Sequence, residues 1–170
     1  MFSKTCEYAI RAMIFIAQKS KDGGRIGIKE IAKATDAPEH FIAKILQNLS
    51  RKGLVQSLKG PTGGFFLDAA SSGCSLADIV TAIDGDKLFT GCGLGLKDCN
   101  EKKPCPIHYQ FKTVREDIYN MLEAARIGDF SQQLERKLTF LKRWYFFEII
   151  KDKKVLIYGL EIFFNKDINI

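Results

Sequence analysis

No apolar run in the 170-residue sequence approaches the ~20 residues needed to cross a bilayer, so neither a membrane-spanning helix nor a membrane partner is expected. Nor is a secretory leader expected: Met1–Ser20 is interrupted by Lys4, Glu7, Arg11 and Lys19 and shows no cleavage pattern. There is no P-loop and no G-x-G-x-x-G. With only two histidines, His40 and His108, general acid–base chemistry has few candidates. These absences argue against an enzyme and for a soluble, cytoplasmic chain.

What is present is unevenly placed. Residues 1–60 hold 11 Lys and Arg against 5 Asp and Glu, whereas residues 61–170 hold 15 of each. The whole net charge of +6 therefore sits in the first 60 residues, which suggests a polyanion partner for that region. Cysteine is also concentrated. The stretch CGLGLKDCNEKKPCPIH, Cys92 to His108, contains three of the five cysteines and one of the two histidines. Five thiols cannot all pair within one chain, and in a reducing compartment clustered cysteines are more often ligands or redox groups than bridges.

Residues 2–20 read as a helix with Cys6, Ile10, Met13 and Ala17 on one apolar face. A short helix around Ile28, Ile31 and Ala32 and the tight connection ATDA follow. Pro38 then opens a longer helix whose stripe is Phe41, Ile42, Ile45, Leu46 and Leu49, and Gly53 stops it. LVQSLKGPTGGFFL reads as strand, turn, strand, with Lys59 at the tip. Helix-turn-helix followed at once by a hairpin is the layout of a winged helix. Off the buried stripe of the second helix lie Pro38, Glu39, His40, Ala43, Lys44 and Gln47. Lys44 and Gln47 suit hydrogen bonds to base edges, and Arg51 and Lys59 suit phosphate or a narrow minor groove.

SLADIVTAID reads as a helix capped by Ser75 with Asp78 three residues on. Beyond the cysteines, Ile107, Phe111, Val114, Ile118, Met121 and Ala125 are spaced 4, 3, 4, 3, 4, a seam suited to pairing with a second copy. Thiolates suit an iron–sulfur cluster, zinc or cuprous copper, and three Cys with one His also fit a closed zinc site. A disulfide would use only two of the three thiols. Gly91, Gly93 and Gly95 make the segment pliable, and Lys97, Lys102 and Lys103 offer positive charge nearby. Cys6 and Cys74 read as core thiols.

The segments EYAIRAM, IKEIAKAT, FIAKILQNLSRKGLVQSLKGPTGGFFL and SLADIVTAIDG, with the cysteine loop, the long helix and RIGDF, resemble the Rrf-two family. These are the iron–sulfur-sensing winged-helix regulators of bacteria typified by IscR and NsrR, and the resemblance runs from about Met1 to Leu134. It implies a homodimer joined through the long helix, a palindromic double-stranded DNA operator and an iron–sulfur cluster, usually 2Fe-2S. By the same resemblance the ligands are Cys92, Cys99, Cys105 and His108, with Glu7 of the partner subunit as the NsrR-like alternative fourth ligand. The base-reading positions map to Pro38, His40 and Ala43, and the wing position to Lys59. Two departures stand out: C-x6-C where IscR-like chains have five intervening residues, and Ala43 in place of an acidic base reader.

The expected architecture is mainly α with a small β wing. Residues 1–84 are the winged helix-turn-helix, 85–106 the cysteine-rich loop and 107–134 the dimerisation helix with the short helix after it. Residues 135–170 are a C-terminal extension of unassigned role, with a helix at 132–150 and strand-like KVLIYGLEIFF. The expected activity is transcriptional regulation through cluster-controlled operator affinity. The alternatives are a winged-helix regulator with a zinc or thiol site and, from a different class, an iron–sulfur electron carrier or cluster-transfer protein.

Overall fold

A computed structural model describes residues 2–20 and 23–130; the extension at 135–170 and its expected helix and strands lie outside the described residues. Helix α1 (Lys4–Ser20) buries Cys6, Ala9, Met13, Ile16 and Ala17, apolar positions three and four apart that share one face. Ile10, expected on that face, is half-buried beside it. Helix α2 (Ile28–Thr35) adds Ile31 and Ala32, and α3 (Glu39–Arg51) adds Ile42, Ile45, Leu46 and Leu49. Phe41 is only half-buried and meets Tyr8 edge to face, ring centres 5.7 Å apart.

The turn between α2 and α3 is set by Asp36, whose φ of 55° is left-handed, a conformation its short polar side chain tolerates. Ala37 N–H donates to the Ala32 carbonyl at 3.1 Å, closing α2. Pro38 stands as the residue capping α3, one position before the first helical residue, in extended conformation. At the far end Gly53 takes φ 74°. Its N–H donates to Ser50 and that of Leu54 to Leu49, both at 3.0 Å, which satisfies two terminal carbonyls and turns the chain sharply.

The wing is β1 (Gln56–Leu58) paired antiparallel with β2 (Gly64–Phe66), with Ser57 opposite Phe65. Ile26 bridges Phe65 from the other side, extending the hairpin by a third short segment. Helix α4 (Ala69–Ser72) is held by a capping box between Asp68 and Ser71, and α5 (Leu76–Asp84) by one between Ser75 and Asp78, as the sequence leads one to expect for α5. Lys52 Nζ donates to the Ala82 carbonyl at 2.8 Å, tying the end of α3 to α5.

A single turn, α6 (Lys87–Thr90), precedes the cysteine loop, and α7 (His108–Ala124) follows it with Ile107 as its cap. Cys6, Ala77, Val80 and Leu122 form a core shared by α1, α5 and α7, with Phe2, Phe89 and Ile118 packed around it. The seam expected along α7 is not buried within the chain. Val114 and Met121 are 48% and 60% exposed, and Phe111 and Ile118 are half-buried. The inward face is instead His108, Arg115 and Leu122, seven residues apart and hence stacked on one side of the helix. None of the described helices is long and apolar enough to cross a membrane.

Candidate functional site

Two regions carry the functional side chains. On α3 the burial of Ile42, Ile45, Leu46 and Leu49 leaves Pro38, His40, Lys44, Gln47 and Arg51 exposed on the opposite face, while Ala43 sits half-buried at its flank. Lys59 is exposed beside the tip of the wing. Arg25, also exposed, lies over the Phe66 ring at 5.8 Å, which places another cation at the wing. An open cleft between α2 and the start of α3 is lined by Lys29, Lys33, Asp36, Pro38 and Glu39.

The cysteine loop is fastened to α7 along its length. Gly93 lies flat against Phe111: a Cβ there would fall 2.8 Å from the ring carbons, so any other residue would push the loop away. In mid-loop Glu101 pairs with Lys112 at 2.6 Å, a contact that lowers the Glu101 pKa and raises that of Lys112. Arg115 Nη1 donates to the Gly91 carbonyl and, at 3.3 Å, to Cys99 Sγ. Cys99 Sγ also lies 3.4 Å from His108 Nδ1.

The amides of Leu94 and Leu96 point at the Cys92 sulfur and hold its thiol below the usual range, helped by a hydrogen bond with Cys105 and the charge of Arg115. Cys92, Cys99 and Cys105 are all free and half-buried. The fourth expected donor, His108, is 3% exposed, and its Nε2 is buried with no hydrogen-bond partner among the described residues. An imidazole nitrogen stripped of water and left unbonded is costly unless something binds it. The donors therefore stand as two pairs, Cys92 with Cys105 and Cys99 with His108. Among the described residues no three of them gather closely enough to hold a single metal ion.

In chemistry the set fits a cluster: three soft thiol ligands, an unbonded imidazole nitrogen and amide and guanidinium donors aimed at sulfur. Glu7 is differently engaged. Its carboxylate pairs with Lys4 at 2.7 Å, and Arg11, the partner its spacing suggests, reaches only the Glu7 backbone carbonyl at 3.4 Å. Arg11 is drawn aside over the Tyr8 ring at 4.7 Å. Cys6 and Cys74 are buried core thiols, as expected of free cysteines that behave as small hydrophobes.

Arg115 and Arg25 do not stand out in the sequence. The available signal for Arg115 is its place seven residues after His108, on the helix face that turns inward. For Arg25 it is membership of the basic first 60 residues.

Known proteins resemble this chain. The model of the Rrf2 family, described as an iron-dependent transcriptional regulator, matches residues 2–133. An HTH-type transcriptional regulator of Aquifex aeolicus is 30% identical over 145 residues, covering 84% of this chain and 99% of that protein. IscR of Yersinia pseudotuberculosis is 28% identical over 122 residues, 72% of this chain and 73% of that one. Among solved structures, T. potens IscR superimposes with a TM-score of 0.65 at 21% identity, over 84% of this chain and 93% of its own. CymR, the global cysteine regulator of B. subtilis, gives 0.64 at 21% identity, over 78% and 96%. These two likenesses bear on the fold, a winged helix with a small two-stranded sheet. The chain belongs to the Rrf2 family: it is a winged-helix transcriptional regulator that binds DNA, not an enzyme.

Proposed function

We propose that this regulator acts as a homodimer on a palindromic operator, and that an iron–sulfur cluster of the 2Fe-2S type, held by Cys92, Cys99, Cys105 and His108, governs its affinity for DNA. The observation that carries this reading is the convergence on Cys99. His108 and Arg115, from the buried face of α7, both reach its sulfur, while Cys92 and Cys105 meet in the same loop. The likeness to IscR of Yersinia pseudotuberculosis supports the same reading. His108 is preferred to Glu7 because its Nε2 is buried and unbonded, whereas the Glu7 carboxylate already has Lys4.

A bound cluster supplies redox-sensitive iron and sulfur. The rest of the work falls to the chain. His108 is the first residue of α7, so a bond to it fixes that helix at its start. Val114 and Met121, exposed on α7, offer an apolar face to a second copy, and the helix then sets the spacing of the two α3 helices. Pro38, His40 and Ala43 lie where base edges are read, with Lys44 and Gln47 beside them. Arg51 and Lys59 meet phosphate or the minor groove. A coupling of ~1–3 kcal/mol between the two sites changes operator affinity roughly 5- to 150-fold.

The grouping of donors into pairs favours one second reading, a regulator whose thiols respond directly to oxidation. Operator binding by fluorescence anisotropy, with anaerobically reconstituted and metal-free protein side by side, separates them. A fivefold or larger difference that vanishes in His108→Ala supports cluster control. Equal affinities that diverge only after thiol oxidation favour the second reading.

A further inference from the structure

Among the described residues the cation beneath the cysteine loop has no acid of its own. Arg115 is 8% exposed, and among the described residues it forms no ion pair with a carboxylate. Its Nη1 donates to the Gly91 carbonyl and to Cys99 Sγ at 3.3 Å, its guanidinium lies 5.6 Å from the Phe111 ring centre, and its Nε is buried without a hydrogen-bond partner among the described residues. A guanidinium stays protonated at any pH a protein survives, and burying it is strongly unfavourable unless an anion or complete hydrogen bonding compensates. One carbonyl, one cysteine sulfur and an aromatic ring do not complete that compensation. An anionic sulfur assembly does.

We propose that Arg115 is the positioning residue of the cysteine site: the buried counter-charge for anionic sulfur held by Cys92, Cys99 and Cys105, and the anchor that pins the Gly91–Cys99 limb of the loop to α7. This rests on the reading that those thiols ligate a cluster. The flexible cations Lys97, Lys102 and Lys103 are exposed, so water and salt screen them. Arg115 is fixed, desolvated and within hydrogen-bonding distance of one of the sulfurs. It also lies seven residues after His108, so one helix face presents an imidazole and, two turns on, the cation that balances the sulfur. Hydrogen bonds to sulfur and nearby positive charge both raise the reduction potential of a cluster, because they favour the more negative reduced form.

The test uses the full chain with Arg115→Gln and Arg115→Lys, and two readouts. The first is amide hydrogen exchange across residues 91–99 in metal-free protein. The second is the reduction potential of the anaerobically reconstituted cluster. Arg115→Gln is expected to exchange about tenfold faster in the loop, the scale of one lost charge-assisted hydrogen bond, and to reduce at a more negative potential. Arg115→Lys keeps the charge but cannot hold both Gly91 and Cys99, so its potential should stay near the parent value while its loop exchanges faster. Parent-like exchange in both variants overturns the anchor, and a parent-like potential in Arg115→Gln overturns the counter-charge. Should Arg115→Gln fail to fold, Arg115→Lys decides by loop exchange, parent-like protection overturning the anchor. Should the parent chain take up no cluster, the cluster reading fails, and the exchange arm still decides whether Arg115 anchors the loop.

Discussion

The Ser75 hydroxyl lies 2.9 Å from Glu123 Oε2, joining the cap of α5 to the last turn of α7 across 48 residues of chain. The same hydroxyl oxygen accepts the Asp78 amide at 3.0 Å. Around this contact Leu76 N–H donates to Ala125 and Ile127 N–H to Cys74, both at 3.0 Å. The join lies at the opposite end of α7 from the cysteine loop. On the proposed control of operator affinity, this join is one of the contacts through which a shift of α7 reaches the winged helix. Ser75→Ala removes the cap and this contact together and is expected to cost about 1–2 kcal/mol, read as a lower urea midpoint. It should also shrink the ratio between operator affinities of cluster-loaded and metal-free protein. An unchanged midpoint and an unchanged ratio together would show that the join carries nothing.

Arg51 on α3 and Lys59 at the wing should act through phosphate. Arg51→Ala and Lys59→Ala are expected to weaken binding about equally on operator and unrelated duplex, each reducing the slope of log affinity against log salt by about 1. Gln47→Ala should instead erode discrimination between operator variants, by about 1–3 kcal/mol at the position it reads. A cation variant that alters sequence preference while leaving the salt slope untouched contradicts the assignment.

Part of α7's apolar surface faces outward. Met121→Lys, at 60% exposed, should be harmless to the fold of one chain but place a charge in the face offered to a second copy. Sedimentation is expected to show monomer where the parent sediments as dimer, with binding to a two-half-site operator falling more than binding to one half-site. A variant that remains dimeric moves the interface elsewhere.

Cys6 provides a pH signature of the core. Burial, then the charge of Asp84 and its hydrogen bond, push its thiol from 9.0 to about 12, while burial takes Cys74 to about 11. In the folded state both thiols keep their protons at pH values where the unfolded chain has lost them. Their contribution to stability is therefore complete below pH 9 and is lost as pH rises through 9 to 12. Urea midpoints across that window should fall less steeply in Cys6→Ala than in the parent. Parallel curves would mean that this thiol is not desolvated.

Much of the winged helix is legible in local sequence, because its signals are local. Ile42, Ile45, Leu46 and Leu49 mark the buried stripe of α3, Gly53 its end, and the Ser75–Asp78 box the start of α5. The cysteine cluster is equally visible by composition. What local patterns miss is long-range. The 4, 3, 4 spacing on α7 identifies an apolar seam, yet a monomer's inward face is chosen by what packs against it: α1 and α5 take Leu122, and the cysteine loop covers His108 and Arg115. The four-residue helices α4 and α6 are too short for a periodic signal. Spacing alone pairs Glu7 with Arg11, but Tyr8 competes for that guanidinium and leaves Lys4 to close the pair.

The most direct measurement is the visible absorption spectrum of protein purified without oxygen, with iron and acid-labile sulfide assayed on the same sample. A brown protein with broad visible absorption, iron and sulfide in equal amounts, and loss of both in Cys92→Ala is the expected result. A protein that stays colourless and metal-free even after anaerobic reconstitution would contradict cluster control and leave a winged-helix regulator with some other signal.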